Sequence, residues 1–562
     1  MALGHELLTV GNPGPRIAVC RIICAALLAL FVAAAPPKAF PAQQAAHHNH
    51  EIIGWVPREI LERPVPLRQG IGKVHEKVTT NFPQAQAFYD QGLAYLHSFV
   101  WIEAARSFHQ ALRLDPSLAM AYIGLSDVFV GLQDVTAARA AFDKAQSFAE
   151  KLSDPERARI RIRARQLEYL ADSGNLQKYF AYRQAINDAI AAAPRDPWLW
   201  ILRGFADEGT PFGHGQGGRV DTIAFYQTAV SLSPDNFAAH HYLAHTFENV
   251  GLKKDALEQS ELYARLAPAI PHAHHMRGHD LRRLGRTEEA IQEFRKADEL
   301  ENAYYREEKI PAAQDWHHAH NLQLLAMCYQ TLGQMKAAAA AFRQAFSLPA
   351  YTDFAELNRR AWPEFLLDRG RPQEAFTASQ DLVKSRWALG RFTGHTLAGR
   401  AQLEMNRVED AKSELAQAEQ EMEQLPVKII ESLPDAGALR ANILLREKNW
   451  SAANPLMEQI EAKITAVPGP DAWSEALFQL ESIARIARDT GDWELAESTA
   501  RSMIQHDPGY AGGHFALGLA AEHRGDATVA RQEFATATTL WSQADAELPE
   551  LARLREKSAA RQ

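Results

Sequence analysis

Cysteine is nearly absent. Cys20 and Cys24 lie near the start of the chain and Cys328 stands alone in the remainder, so no disulfide framework is available. Cys328 sits between Met327 and Tyr329 on a helical apolar face, which predicts a buried structural thiol rather than a nucleophile. Charge of one sign is also scarce. A formal charge of −9 over 562 residues gives no electrostatic case for nucleic acid as a partner. Catalytic signatures are missing: there is no His-Glu-x2-His, no Gly-x-Ser-x-Gly, and no Cys/His/Asn set with an exposed thiol. The chain therefore reads as a non-enzyme. The glycine-rich stretch from Thr210 to Gly218 lacks the Lys and Ser/Thr of a phosphate loop, which excludes nucleotide binding there. It reads as a flexible loop, or as a lid that points His214 inward. No apolar run reaches the roughly 20 residues of a membrane span. The nearest, Ile22 to Ala35, follows Arg16 and Arg21, and its 14 residues fit a secretory h-region.

Residues 1–42 are therefore expected to be a signal peptide, or an anchor if the run is extended back across Arg21 to Ile17. This places the rest outside the cytoplasm, in a bacterial periplasm or secreted, and makes a membrane a partner only if the segment is uncleaved. Residues 43–84 carry Pro57, Pro64 and Pro66 and the tract His47-His48-Asn49-His50, and predict an extended lead-in. Regularity begins near Ala85. Phe88, Gly92 and Tyr95 share one helix, Ala104, Phe108 and Ala111 the next, and Pro116 closes the unit. The same spacing returns with Tyr122, Leu125, Phe129, Ala138, Phe142 and Ala145, and as late as Gly518, Gly525, Ala530, Phe534 and Ala537. Between them lies an Arg-rich unit (Arg157, Arg159, Arg161, Arg163, Arg165) whose i, i+4 spacing predicts a solvated face. Arg524-Gly525-Asp526 spells an adhesion tripeptide, but Gly525 fills the turn between two helices. A chain this long exceeds one core, and an array of stacked units resolves that.

Histidine is what the sequence has in excess. Ten of 22 histidines fall between His240 and His320, where an even spread would place about three. His240, His241 and His245 recur at His274, His275 and His279, shifted by 34 residues. That period and the small and large packing positions resemble the tetratricopeptide repeat. The resemblance implies an all-α superhelical solenoid of roughly eleven helix–turn–helix units over residues 85–541, with the His-rich units at 237–345. A polar C-terminal tail, 542–562, would cap the array.

In that family the first helix of each unit lines a concave groove through its second, fifth, ninth and twelfth or thirteenth positions. His241 and His245 then occupy fifth and ninth places, as do His275 and His279, while His272 and His320 are second positions. His240 and His274 fall between the paired helices, where a hydrogen-bonded core ring is expected. Histidines four apart on one helix face the same way. Pairs on adjacent helices about 10 Å apart can converge on one ion. His241, His245, His275 and His279, with His272, His317 or His320 replacing or augmenting a member, form the candidate metal set. Imidazole donors select Zn or Cu over Ca or Mg, and Met276 adds a soft donor, although a packing role is commoner. Neutral imidazole is the ligand, so metal binding is expected to fade below about pH 6.

The clusters are also similar to a group of bacterial tetratricopeptide proteins with His-x3-His, His-Met-x2-His and His-Asn-x-His segments behind a His…Thr-Thr…Asp-Gln-Gly-Leu opening. Here these are His241 and His245; His275-Met276 and His279; and His320-Asn321, with Gln323 where a second His would stand. The opening is His75, Thr79-Thr80 and Asp90 to Leu93. Three functions follow in order: a binding scaffold with a His-lined metal site and a protein or peptide in its groove; a plain interaction adaptor; and a metal-dependent enzyme. For the last, Glu248 and Asp280 are the carboxylates near in sequence.

Overall fold

The computed structural model describes residues 56–208, 218–350, 353–426, 430, 435–466 and 470–559. The leader, the His tract before residue 51 and the loop bearing His214 lie outside these. Among the described residues there are helices and no strand. They run in antiparallel pairs: α1 (Pro83–Leu96) with α2 (Trp101–Leu114), α3 (Ala119–Gly131) with α4 (Val135–Gln146), α5 (Asp154–Leu170) with α6 (Leu176–Ala192), and α7 (Pro197–Ala206) with α8 (Val220–Leu232). The His-rich pairs are α9 (Phe237–Asn249) with α10 (Lys253–Leu266), α11 (Pro271–Arg283) with α12 (Thr287–Glu308), and α13 (Trp316–Thr331) with α14 (Met335–Ser347). Then come α15 (Asp353–Asn358), α16 (Ala361–Asp368), α17 (Pro372–Val383), α18 (Ala388–Glu404), α19 (Val408–Met422), α20 (Asp435–Arg446) and α21 (Trp450–Ala466). The last are α22 (Pro470–Thr490), α23 (Trp493–His506), α24 (Ala511–Arg524), α25 (Ala527–Leu540) and α26 (Pro549–Ala559).

Four pairs, α1/α2, α7/α8, α11/α12 and α24/α25, close where a glycine on the first helix meets an aromatic ring on the second. A Cβ on Gly92 would come within 2.4 Å of the Phe108 ring, and one on Gly278 within 2.8 Å of Phe294. Glycine is the residue without a side chain to keep these helices apart. Ala104, Phe108 and Ala111 are fully buried behind Gly92. Gly525 ends α24 in the left-handed conformation at φ +84°, and the Asp526 carboxylate accepts from the Val529 amide to start α25. The tripeptide is a helix cap and a turn.

The Arg-rich helix α5 departs from the solvated face expected of it. Arg157 and Arg165 do pair with Asp154 and Glu168 near solvent. Arg163 is buried and donates to Ser126 and Gln166, while Arg159 reaches Glu76 at 2.8 Å and Asp196 at 3.2 Å. The periodicity places arginines on two faces, and the inner ones are held by groups from the lead-in and the neighbouring units: Glu76 and Asp196 on Arg159, and Ser126 and Asp127 on Arg163.

Long-range contacts make residues 53–562 one compact unit. The lead-in has a single helical turn at Arg58–Leu61. It then runs beneath the His-rich pairs: Arg63 donates to the Glu308 carbonyl at 2.8 Å, Ala269 N–H donates to the Gly70 carbonyl at 2.8 Å, and Gly72 lies under Phe237. At the other end α26 buries Leu551 and Leu554, and Asp545 N–H donates to the Gly333 carbonyl.

Candidate metal centre

Three first helices carry the histidines to one place. Asn236 starts α9 by accepting from the Ala239 amide, Pro271 opens α11, and Asp315 starts α13 by accepting from the His317 amide. The rings form a continuous file. His241 Nε2 lies 3.1 Å from His245 Nε2 and 3.0 Å from His272 Nε2. His272 Nδ1 lies 3.1 Å from His317 Nε2, and His275 Nε2 lies 2.9 Å from His279 Nε2. Three triads result: His241, His245 and His272; His272, His275 and His317; and His275, His279 and His320. Within each, one ligand atom per residue lies within 4.8 Å of the others. Nitrogens held about 2.0–2.1 Å from a tetrahedral ion are about 3.3 Å apart, close to the observed spacings.

All six histidines expected at the site are therefore in the file, but the two i, i+4 pairs do not share one four-nitrogen centre. Each pair belongs to its own triad, because His272 closes the first and His320 the third. His317 joins the file from the start of α13.

The opposite ring nitrogens are tied to oxygen. His241 Nδ1 lies 2.7 Å from the His97 carbonyl, which only accepts, so Nδ1 carries the proton and Nε2 presents a lone pair. Asn321 donates its amide to the Phe294 carbonyl, which turns Oδ1 toward His275 Nδ1 at 3.0 Å. The lone pair of His275 Nε2 then also faces inward. His317 Nδ1 meets the Glu301 carboxylate, and His279 Nδ1 lies 3.4 Å from Glu248. This is how oxygen partners fix the tautomer of metal-ligating histidines. With Glu301 ionised, His317 Nε2 accepts from His272 Nδ1, and two Nε2 lone pairs, of His272 and His241, face each other. With Glu301 protonated the direction reverses, and His272 Nε2–H donates into His241. A proton on His272 Nε2 and a cation at the first triad would therefore exclude each other.

Burial favours neutral rings. It lowers His241 to about 3 and His317 and His320 to about 4. His245, His272 and His275 are pushed well below the ordinary range, by burial first and neighbouring imidazoles second. Burial also pulls on His279, but the Glu248 carboxylate outweighs it and raises the ring. Burial pushes the Glu301 carboxyl well above its usual range.

Glu248 backs His279 from outside the triad, the place of a supporting group rather than of a base facing a bound water. Asp280 is buried beside it, its carboxyl pushed well up by burial and by Glu248. His240 and His274 lie between paired helices, each spanning a proline carbonyl (Pro234, Pro268) and a side chain on the next helix (Gln259, Glu293). Met276 is buried in the core, and burial pushes the Cys328 thiol up to about 12. Gln323 donates to Glu475 at 3.4 Å.

Three contributors have no signal in local spacing. Phe99, in the left-handed conformation at φ +57°, lays its ring 4.7 Å from His241 and 5.2 Å from His272. Glu301 comes from α12, which runs on as a helix to Glu308, beyond the point near Asp298 where the 34-residue spacing breaks. Asp471 arrives from α22. The file opens on a cavity of about 510 Å³ lined by five of its histidines and by Trp101, Trp316, Phe342, Phe346 and Trp362.

Models of the tetratricopeptide repeat match residues 102–153 and 482–545, and residues 271–304 and 319–351. The chain is a tetratricopeptide repeat protein. A tetratricopeptide repeat protein from Parabacteroides merdae is 15% identical, with 47% of this chain and 94% of that one covered and a TM-score of 0.32. Human IFIT1, solved as a dimer with PPP-AAAA, is 13% identical over 82% of this chain and 91% of its own, with a TM-score of 0.36. The apo form of the quorum sensor NprR from B. thuringiensis is 12% identical over 76% and 98%, with a TM-score of 0.37. No protein of curated function matches the sequence. As a tetratricopeptide array the chain is a protein-interaction scaffold, a fold that is typically non-catalytic.

Proposed function

We propose that this tetratricopeptide array is an exported scaffold that binds a transition-metal ion, zinc or copper, in its His-lined groove and presents it to a protein or peptide partner. The observation that carries the reading is the convergence of His241, His245 and His272 through Nε2, with His241 Nδ1 committed to a carbonyl. All-nitrogen donors suit zinc and copper. Export rests on the leader alone: fractionation is expected to find a chain outside the cytoplasm, shortened by the length of a signal peptide.

Metal analysis of untagged protein from its native compartment, together with thermal unfolding, tests the metal. An ion at a hundredfold excess over Kd stabilises the folded chain by about 2.7 kcal/mol. His241→Ala with His279→Ala removes one ligand from each outer triad and should abolish that gain. His514→Ala should leave it intact while lowering baseline stability, because His514 spans Glu533 and the Pro508 carbonyl far from the site. An equal metal shift in wild type and double mutant would leave the plain adaptor standing.

A further inference from the structure

We propose a second metal site, chemically unlike the first, formed by His275 and His279 of α11, His320 of α13 and the carboxylate of Asp471 at the start of α22. It rests on the metal-binding reading above. Two of the three triads can fill together. The lone pair of His275 Nε2 is the only one that ring has left once Asn321 takes Nδ1, so the middle and third triads compete for it. The middle triad also draws on His272, whose Nε2 faces His241. Filling the first and third uses six rings once each and leaves His317 as the link between His272 and Glu301.

The third triad is the one with an oxygen donor. Asp471 Oδ2 lies 3.6 Å from His320 Nε2 and Oδ1 lies 3.9 Å from His279 Nε2. These separations are too long for hydrogen bonds but suit donors that share an ion at about 2.0–2.2 Å. Neither Asp471 Oδ1 nor His320 Nδ1 has a hydrogen-bond partner. The carboxylate is also anchored. Two residues on, the Trp473 ring lies under Arg282, Arg283 and Lys253 at 4.8–5.2 Å, and its carbonyl accepts from His506 Nε2 at 2.9 Å. The start of α22 is thereby pinned to the end of α11, where His279 sits.

Three imidazoles and one carboxylate make a harder donor set than three imidazoles, so the second site takes zinc, cobalt(II) or iron(II) in preference to copper(I). Its ion ties α22 to helices about 150 to 200 residues earlier, which the first site cannot do.

The test uses the full untagged chain, stripped with chelator and titrated with cobalt(II) or zinc. Wild type should take up two ions, and both Asp471→Asn and His279→Ala should take up one, with second-site affinity at least tenfold weaker. His241→Ala should lose the other ion. Hydrogen exchange in the first turn of α22 should slow at least tenfold with the second equivalent in wild type and remain unchanged in Asp471→Asn. Asp471→Glu should restore part of both effects. One ion in wild type, unaffected by Asp471→Asn, would overturn this inference and leave the single-site reading standing. No ion at all would overturn both.

Discussion

At the scale of the residue, the centre is a question of where protons sit on rings. Imidazole in an unfolded chain protonates near pH 6.5, which alone predicts that a His site empties near pH 6. The folded site moves that limit, because burial holds His241 near 3 and His320 near 4. Metal-induced stabilisation by the first triad should therefore persist at pH 5.5 and vanish toward pH 4, as thermal unfolding with and without zinc would show, whereas the third triad should release its ion at higher pH because Glu248 raises His279. Without metal the same rings act the other way. Their folded pKa lies below the unfolded value, so the unfolded chain takes up protons that the native chain refuses, and stability is lost as pH falls from about 6.5 to about 4. His320→Gln removes one such group. Its unfolding free energy should change with pH less steeply than wild type by one proton, about 1.4 kcal/mol per pH unit across that window.

Among elements, the pair α11 and α12 decides whether His275 and His279 arrive at all. Gly278 lies between those two histidines with the Phe294 ring against it. Gly278→Ala should cost about 1–3 kcal/mol through overpacking and weaken metal binding, because the helix that carries both ligands must shift. Gly285 sits in the turn at φ +75° with nothing within 4 Å of an added Cβ. Gly285→Ala should cost about 1–2 kcal/mol from the left-handed backbone and leave metal affinity unchanged. Thermal unfolding and a metal titration on the two variants separate these outcomes. The pairing was legible in the spacing of Gly278, Ala290, Phe294 and Ala297. The length of α12 was not, since Asp298 to Gln314 breaks the 34-residue period and reads as an insertion, yet its helical part delivers Glu301 to His317. Tyr304 extends the same helix to Glu103 at 3.0 Å.

For the whole molecule, contacts between remote units set this array apart from a solenoid that touches only its neighbours. The turn after α1 supplies His97 and Phe99 to the first triad, α22 supplies Asp471 to the third, and the segment before α26 returns to the Gly333 turn, with Glu550 of α26 3.2 Å from Arg369. The tail expected to be a polar cap has an apolar stripe at Leu548, Leu551 and Leu554, all buried. Leu551→Ala should cost about 2–4 kcal/mol and loosen that closure without changing the number of ions bound, as chemical unfolding and metal analysis would report.

The amino-acid order by itself determined the helices, their pairing and the faces of His241, His245, His275 and His279, because these follow from periods of a few residues and from a 34-residue repeat. It also marked His240 and His274 as rings between helices, since their register within the unit is local. Which histidines stand close enough to share an ion was decided by the tertiary structure alone. The grouping depends on the rotation accumulated from unit to unit and on side chains that arrive from α1, α12 and α22, and no local spacing encodes where a helix two hundred residues away will pass. The sequence could name the histidines; the superhelix sorted them into triads and set a carboxylate beside one of them.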